Sequence, residues 1–194
     1  FIFWLLTRRL RTNLNATNGH LVIVTQTHPQ SFNGPEPYRD SYFGPLINHV
    51  ASSQQPAVIM SLMVDRPFEQ VRLLKSRKFG IPIRPVESWV TLKDILISTV
   101  RAIRGSMNRF DSAEPVELDG IDLRDLVGAY VREARRSGDY FLNLLMFYCG
   151  RSLGRLLNVE KCLYPYENRA WEKLFMQGLR SSSPGTKVVG YQHA

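Results

Sequence analysis

Several motifs that would assign a function at once are missing from this sequence. It contains no GxGxxG fingerprint, no GxxxxGK[ST] phosphate loop, no GxSxG elbow and no HExxH pair. Aromatic and basic residues also do not alternate along a strand as they do in RNA-binding sheets. These absences weigh against a nicotinamide dehydrogenase, a P-loop NTPase, a serine hydrolase and an RNA-recognition domain.

Cysteines and long apolar runs are scarce as well. Cys149 and Cys162, the 2 cysteines, have apolar neighbours, form no CxxC and have no histidine at metal-ligand spacing. They predict buried free thiols, a reducing, cytoplasmic location and no metal site. The apolar start, Phe1 to Leu6, is far shorter than the roughly 20 residues of a membrane-spanning helix. Because its basic residues follow it, we expect residues 1–14 to end a helix that begins upstream, with an interfacial membrane anchor as the alternative.

The charge is unbalanced but not concentrated. The chain has 25 Lys and Arg against 17 Asp and Glu, a formal net charge of +8. Such a surface favours anionic partners, including nucleotide phosphates and an acidic membrane face. No basic tract of the kind found in nucleic-acid-binding arms is present, so we predict no nucleic-acid partner. A soluble domain without a special partner is the alternative.

Strand and helix patterns alternate along the 194 residues. Apolar, β-branched runs predict strands at 20–27, 56–64, 160–166 and 186–193, with an extended segment at 81–88. Helical periodicity predicts helices at 41–53, 66–80, 91–105, on both sides of Ser137–Gly138, and at 168–181. This order predicts one α/β domain with a Rossmann-like, mainly parallel sheet flanked by helices. Such sheets bind ligands beyond the carboxyl ends of their strands.

One candidate site follows the strand at 160–166. Asn168 is expected to cap the next helix, so Glu167, Asn168 and Arg169 lie at a helix N-terminus with free backbone N–H groups. Arg169 and those groups suit a phosphate or carboxylate, and Glu167 suits a general base or a sugar-hydroxyl ligand. In the alternative interpretation Glu167 and Asn168 only cap the helix, and Arg169 pairs with Glu167 or Glu172.

Two other stretches are expected at the same edge of the sheet. Gln192 and His193 follow the last strand, where His193 suits a proton shuttle or phosphate ligand, or is a loop histidine without a role. The loop after the first strand carries Arg39, Asp40 and Tyr42 as candidate substrate-binding residues, with a plain surface loop as the alternative.

The segments "YPYENRAWEKLF" and "KVVGYQHA" resemble those of bacterial surface-carbohydrate biosynthesis proteins, glycosyltransferases of the GT-B type, and "YRDSYFGPL" resembles another region of that group. The likeness covers about the last thirty-five residues and the region from Arg39 to Leu46. Ala194 departs from it, since the family pattern has Ser or Gly there, which puts a contact with donor phosphate in doubt.

The resemblance implies a chain that forms most of the N-terminal, acceptor-side domain of a two-domain enzyme, a fragment that ends before the donor-binding domain. It implies transfer of a sugar from a nucleotide-sugar co-substrate to a saccharide or lipid-linked acceptor, without bound cofactor or metal. The basic surface and the amphipathic start would suit an enzyme that works at the inner face of the cytoplasmic membrane. Glu167 or His193 would be the catalytic base. A transferase of polyol phosphate or another phosphate-linked group, or a non-catalytic carbohydrate- or nucleotide-binding module, are the alternatives.

Overall fold

Five parallel strands form the central sheet in the part of the chain that is described. The computed structural model describes residues 2–8, 10, 19–33, 38–53, 55–77, 79–107 and 117–192. In the order β3-β2-β1-β6-β7, the sheet contains β1 (His20–Thr27), β2 (Ala57–Met63), β3 (Ile83–Pro85), β6 (Val159–Pro165) and β7 (Lys187–Tyr191). A separate antiparallel hairpin pairs β4 (Glu117–Leu118) with β5 (Ile121–Asp122).

Helices connect these strands and cover both faces of the sheet. They are α1 (Ile2–Arg8), α2 (Leu46–Ser52), α3 (Pro67–Ser76), α4 (Leu92–Met107), α5 (Arg124–Arg136), α6 (Gly138–Leu156) and α7 (Ala170–Ser182), with short 3-10 turns at Pro29–Phe32 and Val86–Trp89. The prediction of an α/β, Rossmann-like fold is therefore confirmed. No helix within the described ranges is long and apolar enough to cross a membrane.

Strands β1, β2 and β6 divide their side chains between two apolar cores. In β1, Val22 and Val24 face a core built with α4, α6 and α7, whereas Ile23 faces a core built with α2 and α3. This alternation follows from the two-residue period of a strand. Because both faces are covered, the strands read as continuous apolar runs, which is why β1 and β2 were predictable from the sequence.

Two glycines set how closely α6 and α7 pack. A Cβ on Gly150 would overlap the carbonyl oxygen of Phe175, and one on Gly178 would overlap that of Phe147. Glycine at both positions lets the two backbones touch. Since α7 begins at the carboxyl edge of the sheet, this contact fixes the position of its first turn there.

Several local predictions can be compared with the structure. The break at Ser137–Gly138 separates α5 from α6 as predicted, and Thr91 with Asp94 forms the expected cap, the Asp94 carboxylate accepting from the Thr91 backbone at 2.8 Å. The first half of α6 is only partly buried, and Leu142 is exposed there.

The chain ends and the cysteines complete the comparison. Of residues 1–14, expected to end a helix, α1 covers Ile2–Arg8 and packs against the domain through a hydrogen bond from the Trp4 indole to the Val90 carbonyl oxygen at 2.8 Å. Residues 1, 9 and 11–14 lie outside the described ranges. Cys149 and Cys162 are buried free thiols, as predicted.

Candidate functional site

The strand order reverses between β1 and β6. From β1 the chain passes to β2 and β3 on one side, and the later strands β6 and β7 lie on the other. In open parallel sheets, ligands bind in the crevice that such a reversal leaves at the carboxyl ends of the strands. The two loops that border this crevice are the described residues 28–33 and 38–45, after β1, and residues 166–169, after β6.

Asp40 organises the first loop from a buried position. Its Oδ1 accepts hydrogen bonds from the backbone N–H groups of Tyr42 and Phe43, both at 2.8 Å, and its Oδ2 accepts one from the Tyr38 hydroxyl at 2.6 Å. Burial, followed by the charge and hydrogen bond of Asp40, raises the pKa of Tyr38 well above its usual value, so the hydroxyl stays protonated and donates. Asp40, predicted to bind substrate, is thus placed to position Tyr42.

The second loop departs from the predicted helix start. The N-cap of α7 is Arg169, whose side chain does not cap the helix, and not Asn168 as predicted. Asn168 instead adopts a left-handed conformation with φ 59. Asparagine tolerates this region better than most residues because its short side chain relieves the steric cost locally. Asn168 therefore turns the chain from β6 into α7.

Glu172 caps the loop in place of Asn168. Its buried carboxylate accepts hydrogen bonds from the backbone N–H of Glu167, at 3.2 and 3.3 Å. Burial raises the pKa of Glu172, and the backbone N–H groups of Arg169, Glu167 and Asn168 oppose that rise. The prediction of a free N–H group for a ligand is therefore wrong at Glu167, because the protein's own carboxylate occupies it.

The two loops meet through three side chains, Tyr42, Glu167 and Arg169, which we call the rim cluster. The Tyr42 hydroxyl lies close enough to the Glu167 carboxylate for the two groups to interact electrostatically, and Nε of Arg169 lies 3.7 Å from Glu167 Oε2. Burial, then the hydrogen bond and charge of Glu167, raises the pKa of Tyr42, while the charge of Arg169 lowers it. The Arg169 side chain is 69% exposed, so its ion pair contributes little to stability. Pairing of Arg169 with Glu167 is the sequence-based alternative to a ligand-binding role for Arg169.

A cleft of about 1170 Å³ adjoins the rim cluster. Its walls are the carboxyl ends of β1 and β2, the 3-10 turn after β3, the start of α7, and the facing ends of α5 and α6. Apolar side chains predominate, among them Leu62, Met146 and Trp171. Asn168 and Arg169 line the same cleft, so Arg169 borders both the rim cluster and this apolar space. The combination fits a ligand with an apolar part and a polar or anionic part.

Glu87 is a buried carboxyl of this cleft that the sequence patterns did not indicate. It lies on the 3-10 turn Val86–Trp89, and its Oε2 is buried without a hydrogen-bond partner in the described ranges. Burial raises the pKa of Glu87 to about 7. Nearby, Cys149 donates to the carbonyl oxygen of Val86 at 3.3 Å, and burial, then the charges of Glu87 and Asp94, raise the pKa of Cys149 well above its usual value. The signal in the sequence was a lone acid inside an apolar run after a strand.

The other predicted site residues lie near this edge with fewer contacts. Gln192 is exposed just beyond β7, beside the loop in which the Tyr166 N–H donates to the Tyr191 carbonyl oxygen at 2.8 Å. Arg39 is exposed, and its backbone N–H donates to the Ser31 carbonyl oxygen at 2.8 Å. The structure therefore groups Tyr42, Glu167 and Arg169, and it leaves Gln192 and Arg39 at the periphery. His193 and Ala194 lie outside the described residues.

Two further sources of functional information are metal-binding clusters and similarity to known proteins. In the described part of the chain, no three His, Cys, Asp or Glu side chains lie close enough together to hold a metal ion. Comparisons of the chain with protein-family models, with curated proteins and with solved structures give no match. The fold and the rim cluster are thus what any proposal of function must build on.

Proposed function

We propose that this chain is the acceptor-side domain of a two-domain glycosyltransferase of surface-polysaccharide assembly. The enzyme would transfer a sugar from a nucleotide-sugar donor to a saccharide or lipid-linked acceptor. The observation that carries the proposal is the rim cluster, in which loops after β1 and β6 bring Tyr42, Glu167 and Arg169 together at the strand reversal, beside the cleft. The resemblance of the "YENRAWEK" and "GYQHA" segments to GT-B enzymes supports it.

Glu167 is the proposed proton acceptor. Its carboxylate takes the proton of an acceptor hydroxyl, and the acceptor oxygen forms a bond to the anomeric carbon of the donor sugar. The bond from that carbon to the phosphate oxygen breaks, and the leaving nucleoside diphosphate keeps the electron pair. Tyr42 and Arg169 both interact with the carboxylate and so help to hold its position.

The remaining predicted residues have binding roles in this proposal. Asn168 borders the cleft, and Gln192 and Arg39 are exposed on loops that follow β7 and β1, where an amide and a guanidinium can bind sugar hydroxyls or phosphate. His193 is the proposed alternative base. The excess of basic residues favours a place at the inner, anionic face of the cytoplasmic membrane.

Substitution of Glu167 tests the catalytic role. In the complete enzyme, Glu167→Gln should lower nucleotide release, measured over a panel of nucleotide sugars with saccharide and lipid-linked acceptors, by roughly 10²–10⁴-fold. Glu160→Gln is the matched control, since Glu160 is an exposed carboxylate near the opposite end of the same strand. Full turnover by Glu167→Gln, with normal stability, would exclude Glu167 as the base.

A non-catalytic carbohydrate-binding module is the second candidate. Glu167 is already engaged by Tyr42 and Arg169, as are many carboxylates that hold sugar hydroxyls without taking a proton. In that case Glu167→Gln and Tyr42→Phe should each weaken saccharide binding by calorimetry, while no donor is turned over by wild-type protein with any acceptor.

A further inference from the structure

An apolar stripe runs along the outside of α4. Its members recur every three or four residues and are exposed by 43, 59, 46, 54 and 78%; they are Leu92, Leu96, Val100, Ile103 and Met107. We call them the α4 stripe. Single exposed apolar residues are ordinary, but five in line on one helix face form the kind of contiguous patch that marks a binding surface.

The opposite side of α4 fixes the helix to the domain, so the stripe faces outward. Ile95 and Ile97 pack against the main core, and Ser98 is buried. Near the end of the helix, a Cβ on Gly105 would lie 2.7 Å from the Tyr140 ring of α6, which shows how closely the two helices pack. The stripe therefore cannot turn inward without removing these contacts.

The charges of α4 indicate what covers the stripe. Lys93 and Arg104 are exposed on the helix, whereas the Arg101 guanidinium lies 5.8 Å from the centre of the Tyr148 ring of α6. The single acid, Asp94, is occupied in the helix cap with Thr91. An outward apolar face with basic residues beside it is the pattern of helices that lie in the interface of anionic membranes. Two copies of α4 packed antiparallel through the stripe would instead bring Lys93 and Arg104 together, and like charges oppose that pairing.

The cleft opens close to this helix. Tyr140, which contacts α4 at Gly105, lines the cleft, as do the exposed side chains of Tyr130 and Leu142. Tyr140 thus lies both against the inner side of α4 and in the wall of the cleft, where apolar side chains alternate with the charged Glu133, Arg135 and Asp139. A molecule anchored in a membrane at α4 would therefore lie one helix away from the cleft.

We propose that the α4 stripe binds an anionic membrane surface and that the adjoining cleft receives the acceptor from it, as a lipid-linked molecule. The membrane contact stands without the proposed sugar transfer, whereas the identity of the cleft's ligand depends on that function. The two proposals can therefore be tested separately. Vesicle binding tests the membrane contact of the α4 stripe, and the turnover of Glu167→Gln tests the transferase activity.

Vesicle sedimentation tests the membrane contact directly. The chain is mixed with phosphatidylglycerol-containing vesicles or with pure phosphatidylcholine vesicles, at low and at high salt. We expect sedimentation with the anionic vesicles at low salt and about ten-fold weaker binding after Lys93→Gln with Arg104→Gln. Leu96→Ser with Val100→Ser should weaken it about ten-fold or more. The matched control is Leu46→Ser with Val189→Ser, a Leu and a Val exposed on the other side of the sheet.

Each other outcome overturns the proposal. Circular dichroism first confirms that every variant is folded. No sedimentation of wild-type protein, or equal loss of binding in the stripe and control variants, would show that the stripe does not face lipid. A wild-type dimer in light scattering that Leu96→Ser with Val100→Ser converts to monomer, together with no vesicle binding, would assign the stripe to a second copy of the chain.

Discussion

Glu87→Gln should change the stability of the protein, relative to wild type, in a pH-dependent way. The variant should gain stability over wild type as the pH rises from acid to above neutral. Burial raises the pKa of Glu87 from 4.5 to about 7 in the folded protein, and only its own backbone N–H opposes that shift. In the unfolded chain the carboxyl ionises near its ordinary value. The folded state therefore holds a proton that the unfolded state has already released over this interval.

The sign and the size of the effect follow from proton linkage. Below about pH 4.5 the carboxyl is protonated in both states, and it costs the folded state nothing. As the pH rises toward 7 the unfolded state gains from ionisation, so the free energy of unfolding falls; above 7 the loss is complete. A shift of about 2.5 pKa units at 1.36 kcal/mol per unit gives about 3 kcal/mol. Glutamine, which has nearly the same shape and no proton to release, removes this loss.

Urea unfolding at a series of pH values between about 4 and 8, followed by tryptophan fluorescence, measures the effect. The stability difference between Glu87→Gln and wild-type protein should change by about 3 kcal/mol across that range, whatever constant offset the amide introduces. Glu133→Gln is the control, because Glu133 also borders the cleft but is exposed. A Glu87→Gln difference that stays constant with pH would refute the reasoning.

Two further predictions concern the frame of the site. Gly178→Ala should lower the free energy of unfolding by about 1–3 kcal/mol in urea unfolding, because its Cβ would overlap the Phe147 carbonyl oxygen between α6 and α7. Gly185→Ala is the control, because nothing lies within 4 Å of the Cβ added there. Equal effects of the two substitutions would contradict the packing argument. Asn168→Gly should leave stability nearly unchanged, whereas Asn168→Val should cost about 1–2 kcal/mol at its left-handed φ, and a harmless valine would contradict the role assigned to this turn.

The sheet and its reactive edge were predictable because they depend on local patterns. The run His20–Thr27 predicted β1 with its observed bounds, since a strand buried on both faces needs a continuous apolar run. Parallel strands then place the residues that follow them at one edge, which brought Glu167 and Arg169 to the expected side of the sheet. The contact between Tyr42 and Glu167 required the strand order, which no local pattern contains.

The wrong and missing predictions concern two carboxylates. The role of each depends on which other parts of the chain pack against it in the fold. Glu172 lies three residues after the observed N-cap, a spacing that favours capping, but the helix start was assigned one residue too early to show it. Glu87 is buried by a wall that includes α6, far along the chain. Patterns of apolar residues indicate which positions face a core, and they do not tell which acid a distant helix will cover.

The Glu172 carboxylate also constrains where a donor phosphate binds. It accepts hydrogen bonds from the backbone N–H of Glu167 and lies in the first turn of α7, so the positive end of that helix already has a negative charge beside it. A second anion placed there would meet the repulsion of Glu172. In the proposed enzyme the phosphates of the nucleotide sugar must therefore be held largely by residues other than this helix terminus, which agrees with an acceptor-side role. Arg169, exposed and facing both the rim cluster and the cleft, remains available to approach the leaving phosphate from the acceptor side.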